Sequence, residues 1–163
     1  LVAEFTIAEN LMLDRSVGEP FVKLGTLQLK YLAEFAEKKV QEFDIRAQGI
    51  QTFVGRLSGG NQQKVVLARK LSRELKLLVA AQPTRGLDVG SVEFVHTRII
   101  EARDAGVPVV VVSTELDEVT ALADRIAVMY RGAIVGIVPG DTPREVLGLM
   151  MAGESPAAAG AAA

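Results

Sequence analysis

The residues best equipped for chemistry lie in one run, Leu57-Ser58-Gly59-Gly60-Asn61-Gln62-Gln63-Lys64, followed by a helical pattern through Val65, Val66, Ala68 and Leu71. Two glycines in a helix's first turn cost about 1 kcal/mol each relative to alanine. A local rule broken without evident packing gain points to a functional site. Bare backbone N–H groups at a positive helix end, beside a serine hydroxyl, make a nest that a phosphate can approach closely. A plain glycine turn with a serine N-cap satisfies the same residues. The rest of the catalytic inventory is thin. With no cysteine, the chain has no disulfides, thiol chemistry or zinc–thiolate sites. The single histidine, His96, cannot build an imidazole cage and reads as an exposed or half-buried helix residue.

The elements around this run change rhythm halfway. Thr6-Ile7-Ala8-Glu9 has the spacing of a capping box ahead of Leu11 to Leu13. Gly18-Glu19-Pro20 breaks the chain. Apolar residues from Leu27 to Phe43 then recur near a 3.6 period, predicting an amphipathic helix whose charged side (Glu34, Glu37, Lys38, Lys39, Glu42) is a solvated face. Beyond Lys64 the pattern becomes strand, helix, strand. Leu77 to Ala81 and Val109 to Val112 read as strands buried on both faces of a parallel sheet. Between them a helix over Ser91 to Ala105 turns Val92, Val95, Ile99 and Ile100 inward and stops at Gly106. A helix over Leu116 to Ala123 follows, then a hairpin turning at Arg131-Gly132. Thr142-Pro143-Arg144-Glu145 predicts a capped final helix. The Ala-rich end from Pro156 reads as unstructured.

Composition narrows the function classes. The chain has 163 residues, with 18 basic against 20 acidic side chains and a formal net charge of -2. That balance is the wrong one for a dedicated nucleic-acid binder. Apolar residues at 49% and charged ones at 23% describe a folded domain. A mean hydropathy of +0.27 suggests surfaces that are covered in use. The apolar runs Leu77 to Ala81 and Val109 to Val112 are far short of the ~20 residues of a membrane helix. The start, LVAEFTIAEN, has neither a basic leader nor a cleavage site and opens in mid-pattern, which reads as a cytoplasmic chain incomplete at its N-terminus.

The run LSGGNQQK resembles the signature motif of ATP-binding cassette (ABC) transporter ATPases, and the motif order agrees over nearly the whole chain. After the signature helix and the aliphatic strand, Pro83-Thr84-Arg85-Gly86-Leu87-Asp88 looks like that family's Walker B exit and D-loop. Ser113-Thr114-Glu115-Leu116 stands where its switch loop belongs. AAQPTRGLDVG, STELDEV, DRIAVMYRG and GLMMAG are similar to the C-terminal cassette of importers for simple sugars and nucleosides, with a slight lean towards nucleosides. The resemblance implies an α/β fold: a partial P-loop NTPase core, with a parallel sheet and flanking helices, plus an N-terminal helical subdomain. In residue terms that is a helical subdomain over 1–56, the C-terminal part of the core over 57–151 and a disordered tail over 152–163.

The departures matter as much. No Walker A is present: Gly55 to Gly60 has the glycine spacing by chance, but Asn61 stands where the lysine must be. The resemblance places the P-loop and Q-loop upstream of Leu1, with the P-loop strand between the Val109 and Ile126 strands. An isolated chain lacking that strand is expected to be marginally stable or self-associating unless the two strands close up on each other. The family's Walker B aspartate and catalytic glutamate are here Ala81 and Gln82, and the switch histidine is Thr114. Alanine offers magnesium no oxygen. Glutamine cannot take a proton from water at neutral pH. Without a positioned general base, rates fall by ~10²–10⁴.

The resemblance therefore implies a degenerate site beside an intact signature. Ser58, Gly59, Gly60 and Gln62 would act in trans on the ATP of a partner cassette, stabilising charge at its γ-phosphate. Leu87 and Asp88 would reach the same interface, although a capping role for Asp88 at the Ser91 helix fits equally well. ATP and Mg²⁺ would be held mainly by the partner, and no residue here forms a metal site. This chain alone is expected to be inactive. Expected partners are a second cassette and membrane permease subunits, at the cytoplasmic face of the cell membrane, with no nucleic acid. The alternative is a non-catalytic truncated cassette that serves only as a subunit-interaction module. An unrelated α/β binding domain would require the order of the motifs to be coincidence.

Overall fold

The computed structural model describes residues 1–13 and 20–155. The expected break at Gly18-Glu19 and the Ala-rich end from Pro156 lie outside the described residues. The chain divides into two compact units. The first comprises Leu1–Leu78 and Thr84–Pro108; the second comprises Val79–Pro83 and the described residues from Val109.

The first unit opens with α1 (Ile7–Met12), capped as the sequence predicts. The Thr6 hydroxyl accepts from the Glu9 N–H at 3.2 Å, and the Glu9 carboxylate accepts from the Thr6 N–H at 2.7 Å. Replacing Thr6 with alanine is expected to cost about 1 kcal/mol, read as a lowered thermal midpoint. A short hairpin, β1 (Val22–Lys23) and β2 (Thr26–Leu27), leads into α2 (Leu29–Glu42). Leu27, expected in the helix, is taken into β2 instead. Helix α2 buries Leu32 and Ala36, while Phe21 makes edge contacts with Tyr31 and Phe35 at 5.0 and 5.1 Å. A 3₁₀ turn over Val54–Arg56 precedes α3 (Gly59–Leu71), and α4 (Val89–Asp104) completes the unit. The core is drawn from all four helices and includes Ile7, Leu11, Ala36, Val65, Ala68, Val95 and Ile99.

Helix α4 ends where Gly106 was expected to stop it. Gly106 has φ +88, a left-handed conformation that costs glycine little. Its N–H donates to Arg103 O, and the Val107 N–H donates to Ala102 O, so two otherwise unpaired carbonyls of the last turn are satisfied.

The second unit holds two small sheets and two helices. Strand β3 (Leu78–Ala81), whose first residue is counted with the first unit, pairs with β4 (Val109–Val112). The Leu78 N–H donates to Pro108 O and the Gln82 N–H to Val112 O. Both bonds advance four residues in the same direction, so the pair is parallel. The expectation that both faces are buried does not hold: Val79, Val110 and Val112 are 59%, 47% and 50% exposed. A two-stranded sheet lacks the neighbours that would cover them. After α5 (Leu116–Leu122), β5 (Arg125–Tyr130) and β6 (Ala133–Pro139) form an antiparallel hairpin turning at Arg131-Gly132, as predicted. Strands β4 and β5 belong to separate sheets.

Helix α6 (Arg144–Met151) buries Val146, Leu147 and Met150 against Ile126 and Val128. Its predicted threonine cap is not made. Pro143 is the N-cap, and Thr142 turns back so that its hydroxyl donates to Pro139 O at 2.7 Å. The helix starts one residue later than expected, so Thr142 precedes its N-cap and bonds to the strand end instead. Arg144 instead pairs with Asp117 of α5.

Candidate functional site

The candidate residues fall into two groups, one in each unit. The first surrounds the start of α3. Ser58 is its N-cap, with extended backbone, and accepts from the Asn61 N–H at 3.4 Å and the Asn61 side-chain amide at 3.0 Å. Asn61 also accepts the Arg46 N–H at 2.8 Å, which ties the turn to the preceding loop. Ser58 and Gly59 are exposed, whereas Gly60 is buried. The first turn of α3 carries no acidic side chain, so its positive end is not neutralised from within. Gln62 folds back, its amide donating to Leu57 O at 3.0 Å. Beside the turn lies a cleft of about 630 Å³ lined in part by Arg46, Arg56, Phe53, Ser58 and Asn61. The Arg56 guanidinium sits over the Phe53 ring at 5.5 Å.

One turn further on, Lys64 is buried and inward-facing. Its ammonium donates to the Asp44 carboxylate and the Asp44 carbonyl, both at 2.8 Å, and lies 4.6 Å from the Phe94 ring centre. Arg98 of α4 stacks over Phe43 and Phe94 at 4.7 and 5.2 Å. These contacts join the end of α2, the start of α3 and the face of α4.

Leu87 and Asp88 also belong to the first unit. The Leu87 N–H closes a turn onto Thr84 O at 3.1 Å. Asp88 caps α4, one carboxylate oxygen accepting the Ser91 N–H at 3.0 Å and the other the Ser91 hydroxyl at 2.8 Å. The capping arrangement considered for Asp88 is thus present. His96 is half-buried on α4.

Hydrogen bonds from Ser91 hold the Asp88 carboxyl below the usual range, and the bond from Lys64 does the same for Asp44. A carboxylate with a lowered folded-state pKa contributes stability that is complete above its ordinary value and is lost as pH falls through the lowered one. Both ordinary values are 3.8. Asp44→Asn is therefore expected to flatten the dependence of stability on pH below about 4. Acid unfolding followed by circular dichroism checks this, and an unchanged slope would contradict it.

The second group sits at the carboxyl ends of β3 and β4, the end of a parallel sheet where α/β folds place ligands. Ala81 is exposed. Gln82 follows with φ +48, in the left-handed region that non-glycine residues rarely adopt, and its N–H is pinned to Val112 O at 2.7 Å. Thr114 is exposed, two residues past Val112, in a turn where Ser113 accepts the Glu115 N–H at 3.0 Å. This group is a poor fit for magnesium, since Ala81 presents only a methyl group. Among the described residues no cluster of three or more His, Asp or Glu side chains is gathered to hold a metal. Gln82 and Thr114 can donate hydrogen bonds to a phosphate, and neither is a base at neutral pH.

Sequence reasoning missed Asn61, Arg46 and Ser91. Asn61 was legible as the third residue after a serine cap. Nothing local marks Arg46 or Ser91 as neighbours of the turn.

No protein-family model matches the chain. It is 46% identical over 94% of its length to a nucleoside import ATP-binding protein (NupA) of Lactococcus lactis subsp. cremoris, of which it covers 30%. It is 45% identical over 99% of its length to a guanosine import ATP-binding protein (NupO) of Bacillus subtilis, covering 32% of it. With a ribose import ATP-binding protein (RbsA) of Lacticaseibacillus paracasei it shares 39% identity over 87% of the chain and covers 28% of that protein. The chain thus spans about three tenths of the length of these relatives. Among solved structures, a dimeric ATP-binding cassette in a post-hydrolysis state with ADP and phosphate superposes with TM-score 0.70 at 23% identity, over 88% of this chain and 60% of that one. A nucleotide-free ATP-binding cassette gives TM-score 0.64 at 25% identity, over 85% of this chain and 57% of that one.

Proposed function

Since this chain is of the ABC-transporter ATP-binding type, we propose that it is part of the ATP-binding subunit of an importer for nucleosides or simple sugars, and that its signature completes the ATP site of a partner cassette in trans. The observation that carries this reading is the start of α3, where Ser58 and Gly59 are exposed at a helix end with no acid in its first turn. Such an end suits the terminal phosphate of a nucleotide presented by another domain. The partner supplies the P-loop and Mg²⁺, and the phosphoryl group passes to water there.

This chain's residues do the positioning. The Ser58 hydroxyl and the backbone N–H groups of the turn meet the phosphate as its charge builds, and none of them moves a proton. Asn61 fixes the serine rotamer from one side and the Arg46 backbone from the other. The chain's own Walker B positions, Ala81 and Gln82, do not support hydrolysis, so the site is one-sided. Leu87 and Asp88 stand on the same unit as the signature and are assigned to the cassette–cassette interface. Permease subunits would hold the assembly at the cytoplasmic face of the membrane; no helix among the described residues is long and apolar enough to cross one.

The test is an ATP titration of the partner cassette with and without this protein. Turnover by the partner is expected to rise when the protein is added. Equal turnover in both arms would overturn the proposal.

A further inference from the structure

The twin glycines of the signature look equivalent in sequence, but the structure gives them different surroundings. At Gly59 an added Cβ would meet only Leu87 Cδ2, at 4.0 Å, and the residue is exposed. At Gly60 the same atom would lie 2.1 Å from Ser91 Oγ, 3.0 Å from Ser91 Cβ and 3.3 Å from an Asp88 carboxylate oxygen. Real side chains do not tolerate the first of these approaches. Swinging the Ser91 hydroxyl aside would break its 2.8 Å bond to Asp88. The first turn of α3 therefore rests directly on the first turn of α4, through a glycine on one side and an Asp–Ser cap on the other.

We propose that Gly60 is a glycine in order to seat the Asp88–Ser91 cap, and that the close packing of these two first turns positions the signature turn against the D-loop. This deepens the functional reading above and rests on it. It divides the work of the motif. Gly59, with open space at its Cβ, is the glycine that leaves room for the phosphate. Gly60 links the phosphate-facing turn to residues 87–91, some thirty positions later, so that a shift in one first turn displaces the other. Misplacing a positioned group by about 1 Å costs up to ~10²-fold in rate.

The test compares Gly60→Ala, Ser91→Gly and the double variant of the protein, measuring melting temperature and stimulation of the partner cassette's ATP turnover. Gly60→Ala is expected to lower the melting temperature by ~5 °C and the stimulation by ~10- to 100-fold. Adding Ser91→Gly removes the two nearest atoms and leaves the Asp88 oxygen at 3.3 Å. The double variant should then melt higher than Gly60→Ala alone and recover stimulation to within about threefold of the unmodified protein. If Gly60→Ala fails to fold, restoration of folding by Ser91→Gly is the same expected result. Additive melting shifts would overturn the Gly60–Ser91 linkage whether or not stimulation is seen. Coupled melting with stimulation still lost in the double variant would overturn the positioning role, because the phosphate itself would then need Gly60 bare. Failure of the unmodified protein to stimulate at all would instead strike the functional reading above, and the positioning role with it, while the melting shifts still decide the linkage.

Discussion

Replacing Ser58 with arginine is expected to lower the stimulation of partner ATP turnover by about 10²–10³-fold, the range seen when one preorganised donor to a developing anion is removed. The serine hydroxyl faces solvent at the positive end of α3, and an arginine side chain would fill the space a phosphate must enter. The change also strips Asn61 of the oxygen on which both its N–H and its side-chain amide converge. Loss of an N-cap costs ~1 kcal/mol, too little to unfold an ordinary domain. Stability and stimulation should therefore separate: a small drop in melting temperature beside a near-complete loss of stimulation. Ser58→Thr keeps a hydroxyl at the cap and is expected to retain most of the effect. If a folded Ser58→Arg variant stimulates as well as the unmodified protein, the α3 start does not meet the phosphate. The chain would then act through its interfaces alone.

Asn10→Ala is expected to destabilise the first unit by about 3 kcal/mol, although Asn10 is far along the chain from every motif residue. Its side chain is fully buried. The amide donates to Val2 O at 2.9 Å, Phe5 O at 3.3 Å and Thr6 O at 3.1 Å, and its oxygen accepts the Val2 N–H at 2.9 Å. One side chain thus closes the N-terminal turn onto α1. Alanine would leave the Val2 groups without that partner and open a cavity of amide size. Each buried polar group left unsatisfied costs about 1–3 kcal/mol. Urea unfolding, with an unchanged m-value and a lower midpoint, is the expected readout. A loss no larger than the ~1 kcal/mol expected for Thr6→Ala would show that the turn finds other partners.

Asn10 also shows how far sequence reading reaches. The capping box at Thr6 and Glu9 was legible because its donors and acceptors lie three residues apart. The polar residue that does more for the same turn bonds eight positions back to Val2 and was not. Similarly, Gly106 and Arg131-Gly132 announced a helix stop and a hairpin turn through backbone preferences that need no partner. At Thr142 the local rule failed. The signal for a helix start was sound, but the helix begins one residue later, which leaves Thr142 outside the cap with its hydroxyl donating to a strand-ending carbonyl. The valine strands failed for a different reason. Continuous apolar runs report what a strand is suited to, while exposure depends on how many neighbours its sheet acquires.

By itself the sequence determined the α/β class, the order of the longer helices and strands, and which residue types stand in each run, including Ala81 and Gln82 at the end of β3. Those properties depend on residue type and on spacings within a turn or a strand. Only the tertiary structure decided which of the motif's glycines is open and which is covered, that Asn61 holds the Arg46 backbone fifteen positions away, and that Lys64 is tied to Asp44. Each of these joins segments that the chain brings together by burying apolar surface elsewhere, so no local pattern of residues encodes it.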